Sequence, residues 1–296
     1  MNVFLTGGTG YVGSRILQDL LSEGHQVSAL VRPGSESKLP VDPQKMTVVH
    51  GEILDKSSFS DALGECEAII HLIGIIREFP GKGITFEKFH LEATQNILAA
   101  AKEHHISRYI HMSALGARKD SASGYFSTKA RAEEFVTSSG LDYTIFKPSI
   151  IFGANDDFIN YFAGIMKTFH VIPIIGKGTY RMQPIAVQDI GELFVQSLTT
   201  PASIGKTYEV AGPDRYEYKE MMQVVKRMIG TWAIPIHTPK ALMSPMAKLF
   251  QHFRFFPVTN DQIIMLYDEN ITDDTRIYED FTIEPTPFKQ GIEAYL

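Results

Sequence analysis

The chain opens on an apolar run, NVFLTG, and then alternates short apolar runs with segments of helical period. Residues 11–24, YVGSRILQDLLSEG, put Val12, Ile16, Leu20 and Leu21 on one helical face, and Gly24 supplies the stop. HQVSALVR and KMTVVHGEI read as the second and third strands, Ser57 to Leu63 as a short helix, and EAIIHLIG as the fourth strand. FEKFHLEATQNILAAAKEHH is rich in strong helix formers and places His104 and His105 at the end of a helix that favours positive charge. RYIHMSA, STKARAEEFVTSSG and DYTIFKPS add a fifth strand, a helix and a sixth strand. The strands are short continuous apolar runs, as a sheet covered on both faces requires. Right-handed crossovers then leave an α/β fold: a doubly wound parallel sheet of about seven strands, of the Rossmann type.

Beyond about residue 150 the alternation breaks. Segment 152–183 mixes Gly, Pro, Asn and aromatics, VQDIGELFVQSLTT is a clear helix, and KTYEVAG returns as the seventh strand. From Gly212 the pattern is mainly helical with proline interruptions. The expected division is 1–150 with 184–211 as the sheet domain, and 151–183 with 212–296 as a smaller, mainly helical lobe over the carboxyl edge of the sheet.

The first strand-to-helix turn carries Gly7, Gly8, Gly10 and Gly13. Glycine permits positive φ and close approach of the main chain, and a helix start presents free N–H groups and a favourable dipole to an anion. A pyrophosphate fits, while the missing Gly-Lys-Ser/Thr argues against a nucleoside-triphosphate loop.

Composition narrows this further. A net charge of −6 without a basic arm gives no reason to expect nucleic acid. Cys66 is the single cysteine, so an intramolecular disulfide and a cysteine-rich zinc site are both excluded, and an inert thiol is expected. His90, His104, His105 and His111 show no metal-ligand spacing and are expected at helix ends or in the core, so no metal is expected. No apolar run reaches the roughly 18 residues of a spanning helix, and the fold begins too early for a signal segment, so the expected location is cytoplasmic.

TGGTGYVG resembles the TGxxGxxG motif of the short-chain dehydrogenase/reductase superfamily, in its extended and atypical (epimerase/dehydratase-like) branches. GEILD at 51–55, HLIG at 71–74, HLEATQN at 90–96 and KPSIIFG at 147–153 are similar to further motifs of that family, with His90 where the family has Asn. MSALGA, QPIAVQDIGELF and TNDQIIML resemble bacterial relatives of the NDUFA9-type complex I subunit. The resemblance implies a pyridine dinucleotide held by Gly7, Thr9, Gly10, Tyr11, Val12 and Gly13. Glu52 would lie by the adenine, Leu72, Gly74 and Pro148 along the cofactor, and Lys129 on the ribose. Arg32, at the end of the second strand where an acid would select NAD, favours NADP.

Tyr125 and Lys129 fit the family's Y-x-x-x-K pattern, extended by Ala130 to Glu134, and fall on one helix face. In a reductase Tyr125 would be the acid/base, Lys129 would lower its pKa, and Ser113 would orient a small or lipophilic carbonyl or enone substrate. Two functions therefore stand: an NADP-dependent oxidoreductase or epimerase-like enzyme, or a non-catalytic dinucleotide-binding assembly or sensor protein. Phe152, Phe158, Tyr161, Phe162 and Phe169 are candidates for pocket wall or core. Asp156 and Asp157 are expected to cap a helix at Phe158. PKALMSPMAKLFQHFRFFP, 239–257, is a candidate amphipathic contact with a membrane or partner.

Overall fold

The computed structural model describes residues 1–239, 241, 243, 245–247 and 258–296. Seven strands form the central sheet: β1 (Asn2–Thr6), β2 (Gln26–Val31), β3 (Thr47–His50), β4 (Ala68–His71), β5 (Arg108–Met112), β6 (Asp142–Pro148) and β7 (Lys206–Val210). From edge to edge they run β7-β6-β5-β4-β1-β2-β3, all parallel. The order reverses between β1 and β4, which opens a crevice at the carboxyl ends of these two strands.

The alternation of side chains along each strand feeds two cores. Val3 and Leu5 pack with Ile16, Leu17 and Leu20 of α1 (Tyr11–Ser22), and with residues of a later helix, Val187–Ser197. Phe4 and Ile69 face the other way, onto Ile97 of α2 (Ala93–Glu103) and Val136 of α3 (Gly124–Thr137). Five strand-rich residues of β4, β5 and β6 have no solvent exposure at all: Ile69, Ile70, Tyr109, Ile110 and Phe146. That burial explains why these strands read as uninterrupted apolar runs.

The second lobe departs from the helical expectation. It contains α4 (Ile159–Phe169), α6 (Tyr218–Met228) and α7 (Asn260–Tyr267), while α5 (Val187–Ser197) belongs to the first core. It also holds a parallel two-stranded ribbon, Val171–Ile175 with Ile234–Thr238. Pro173 and Pro235 interrupt both runs in the sequence, and such prolines are tolerated only because a two-stranded ribbon is all edge. Two further local differences concern the sheet domain. The short helix after β3 is a pair of 3-10 turns, Lys56–Ser58 and Ser60–Leu63, and α2 is entered through a π-helical stretch, Glu87–Glu92.

The chain's end returns to both cores. Ile277 and Phe281 join the core of α1 and α5, whereas Phe288 and Ile292 join that of the second lobe. Between them Thr286 donates its N–H and its hydroxyl to Asp189 of α5, each at 2.8 Å. Of segment 239–257, residues 240, 242, 244 and 248–257 lie outside the described residues.

Candidate nucleotide-binding site

Gly7 leaves β1 with φ +82°, and the amide of Gly10 closes the turn on the Gly7 carbonyl at 2.9 Å. A Cβ on Gly13 would overlap the Gly7 carbonyl oxygen and stand 2.7 Å from its carbon, so only glycine lets α1 seat against this turn. A Cβ on Gly7 would press on Leu72 at 3.2 Å. Gly10 caps α1 without a side chain, and the first main-chain bond of the helix runs from Ser14 to Gly10, at 2.8 Å. The amides of Tyr11, Val12 and Gly13 therefore precede the helical ladder and face the crevice mouth, the donor set a diphosphate needs.

The loop is braced from the second lobe. The Tyr11 hydroxyl is buried with no hydrogen-bond partner among the described residues, and a Cβ on Gly153 would come 2.5 Å from it. Burial pushes the Tyr11 phenol far above its ordinary pKa, with Asp156 and Asp157 adding to the effect. Asp156 accepts the N–H of Phe158 at 2.8 Å, as a helix cap, and the hydroxyl of Tyr295 at 3.1 Å. The capping role expected of Asp156 is thus present.

At one end of the crevice, Arg32 directly follows β2 and is exposed; its guanidinium makes no ion pair among the described residues. Glu52 follows β3, also exposed, with its N–H held by Ser58 Oγ at 3.0 Å. At the opposite end, Lys129 and His90 close on Gly74, and Tyr125 packs on His90. A Cβ on Gly74 would lie 2.9 Å from Lys129 Nζ, and the Tyr125 ring meets the His90 ring edge-on at 5.3 Å. Lys129 is 3% exposed and donates to the Met112 carbonyl at 2.9 Å. Burial lowers its pKa to about 8, and Glu133 opposes the shift. Pro148 ends β6, and its carbonyl accepts from Leu115 at 2.9 Å.

Two features of this end bear on the roles expected of Tyr125 and Ser113. Burial pushes the Tyr125 phenol up to about 12. The aromatic neighbours Phe86 and His90 desolvate the phenolate and offer no compensating charge. The Ser113 hydroxyl has a partner within the protein. The residue is 3% exposed, and its hydroxyl donates to Glu133 in a short hydrogen bond. Glu133 in turn pairs with Lys147 at 3.4 Å, and Lys147 donates to the Ala117 carbonyl at 3.1 Å. Burial raises the Glu133 carboxyl, and Lys147 and Ser113 pull it back. Glu133 is the Glu of Y-x-x-x-K-x-x-A-E, so its position was visible in the sequence although its role was not.

His90 and His111 lie in the core, as expected, and with His71, which the sequence did not single out, form a group of buried imidazoles beside Lys129. His71 meets Thr6 Oγ1 at 2.8 Å, and burial, then Lys129, lowers it to about 3. His90 meets Thr128 Oγ1 at 2.8 Å and is lowered to about 2 by burial and Lys129. His111, 1% exposed and well lowered by burial, stacks on His71 at 5.6 Å. Among the described residues no group of His, Cys, Asp and Glu is arranged to hold a metal. His104 instead ends α2, as expected, 3.2 Å from Ser60 Oγ. Of the candidate pocket aromatics, Phe152, Phe158 and Phe162 belong to the core of the second lobe, while Tyr161 and Phe169 are exposed.

Residues 7–201 match the family described as NAD(P)H-binding. The chain is 30% identical to NADH dehydrogenase [ubiquinone] 1 alpha subcomplex subunit 9 of Arabidopsis thaliana, over 96% of this chain and 74% of that protein. It is 25% identical to the photosystem II assembly factor Ycf39 of Synechocystis, over 100% of this chain and 90% of that protein. Among solved structures, the UDP-glucose 4-epimerase of Thermotoga maritima superposes with a TM-score of 0.79 at 17% identity, covering 99% of this chain and 96% of that one. The Bordetella bronchiseptica enzyme WbmH, in complex with NAD+, gives a TM-score of 0.77 at 19% identity, covering 99% and 96%. The glycine cradle, the reversal between β1 and β4 and these likenesses agree: the chain has the fold of these enzymes and belongs to the NAD(P)H-binding family.

Proposed function

We propose that this protein binds NADP as a structural ligand and serves as an assembly or scaffold factor without turnover. One observation carries this reading. The hydroxyl that a reductase would aim at a carbonyl, that of Ser113, is buried and committed to the Glu133–Lys147 pair. A donor already paired in a dry site is lost to a developing oxyanion. The raised Tyr125 phenol supports the same reading, because a proton donor for an alkoxide works best with a pKa near the working pH. The names of its relatives, a complex I subunit and a photosystem assembly factor, also favour assembly. The oxidoreductase reading retains the approach of Lys129 to Gly74 and the packing of Tyr125 on His90 beside it.

Arg32 supplies the preference for NADP. It is an exposed guanidinium at the end of β2, where its planar fork can take a 2′-phosphate. NADPH is expected to raise the melting temperature more than NADH at equal concentration. Arg32→Ala should weaken NADPH binding by about 10- to 100-fold, the worth of a charge-assisted pair, and leave NADH unchanged. NADPH mixed with the protein and a panel of carbonyls and enones should keep its absorbance. Turnover that disappears in Tyr125→Phe would overturn the non-catalytic reading, and an unchanged NADPH preference in Arg32→Ala would overturn the role of Arg32.

A further inference from the structure

The protein's single tryptophan stands on an apolar face that the described residues leave open. Trp232 is 67% exposed, Phe169 69%, Ile234 55% and Ile236 46%. In the ribbon Ile234 pairs with Val171, and Ile236 with Pro173. Because alternate residues of a strand share a face, these four lie on one side, and the buried Ile172 and Ile174 on the other. A ribbon with one face in a core should be polar on its other face; this one is apolar on both.

The rim of this face is cationic. The last turns of α4 and α6 are tied together: the Thr231 hydroxyl donates to the Met166 carbonyl at 3.4 Å and lies 3.3 Å from His170 Nδ1. Trp232 stacks on His170 at 4.1 Å. Lys167 lies in the last turn of α4, two residues before Phe169, and Lys226 and Arg227 lie in the last turn of α6, which leads to the Thr231–Met166 bond and Trp232. Cations in a last helical turn answer the helix dipole, but the dipole does not explain the absence of acids. From Phe158 to Gln188 and from Met221 to Val258 the sequence contains eight lysines and arginines and no aspartate or glutamate, in a chain of net charge −6. By composition, these two stretches are set apart from the rest of the chain by charge.

We propose that this face docks peripherally on an anionic lipid bilayer, independently of whether the nucleotide site turns over. A tryptophan beside flat apolar surface with lysine and arginine around it matches the headgroup boundary, where aromatic rings anchor and anionic lipids attract cations. No described helix is long and apolar enough to cross a membrane, so the contact is with the surface. A second copy fits less well, since a two-fold contact would oppose one cationic rim to another.

Trp232 is its own reporter. With vesicles of phosphatidylcholine and phosphatidylglycerol, its emission should shift to the blue and the protein should sediment with the lipid. With phosphatidylcholine alone neither should occur, and salt should reverse the binding. Lys167→Glu should lower partitioning by about fivefold or more. The double variant Ile234→Asp, Ile236→Asp should abolish the shift while its melting response to NADPH stays that of the native chain, which shows it folded. Unshifted emission with the protein left in the supernatant of anionic vesicles would overturn the proposal. So would equal binding to both kinds of vesicle, or a concentration-dependent dimer that the double variant dissolves without any lipid binding by the native chain.

Discussion

Gly13→Ala is expected to lose nucleotide binding and most of its margin of stability together. The added methyl would occupy the space of the Gly7 carbonyl and press on Gly8 Cα at 3.0 Å. Neither is the far end of a flexible side chain, so α1 must move away from β1. That motion disrupts Ile16, Leu17 and Leu20, all without solvent exposure, and displaces the amides of Tyr11, Val12 and Gly13 from one another. A loss of about 3 kcal/mol follows from overpacking a rigid site. Gly164→Ala is the contrast: it sits within α4 with nothing inside 4 Å, and should gain about 0.5–1 kcal/mol from helix propensity. Urea unfolding gives both numbers, and the melting shift with NADPH gives the binding. A Gly13→Ala protein that unfolds like the native chain and keeps its NADPH shift would refute the cradle.

The same contrast explains what the sequence disclosed. A glycine whose Cβ has nowhere to go leaves a fixed spacing, so Gly7 and Gly13 mark the tight strand-to-helix turn in the sequence. The buried strands do likewise, because being covered on both faces leaves only apolar residues between turns. What stayed hidden depends on contacts far apart in the chain. Ser113, Glu133 and Lys147 come from the end of β5, from α3 and from β6, and no local pattern says that the serine's proton goes to the glutamate. His71 and His111 read as ordinary strand residues because neutral imidazoles are packed like any other core ring. The ribbon escaped because Pro173 and Pro235 look like strand breakers unless both strands are known to be edges.

Lys129→Met should make the protein more stable and a poorer nucleotide binder. In the folded chain burial holds the Lys129 pKa at about 8, against 10.5 ordinarily. Between those two pH values the unfolded chain keeps a proton that the folded chain has released. Stability attributable to this group therefore rises with pH across that window, and below about 8 the folded chain bears the full penalty of a buried ammonium. Each pKa unit is worth 1.36 kcal/mol, and the lost bond to the Met112 carbonyl gives some of that back, so the gain at neutral pH is about 1–3 kcal/mol. The variant should also lose that part of the rise toward alkaline pH. If Lys129, which lies beside Gly74, holds the ribose as proposed, NADPH affinity should fall about tenfold or more, as for a lost charge-assisted bond. Denaturant melts at neutral and alkaline pH, with and without NADPH, separate the two effects. A variant that is less stable at neutral pH and binds NADPH as the native chain does would mean that Lys129 serves the fold, and that the ribose is held by other groups.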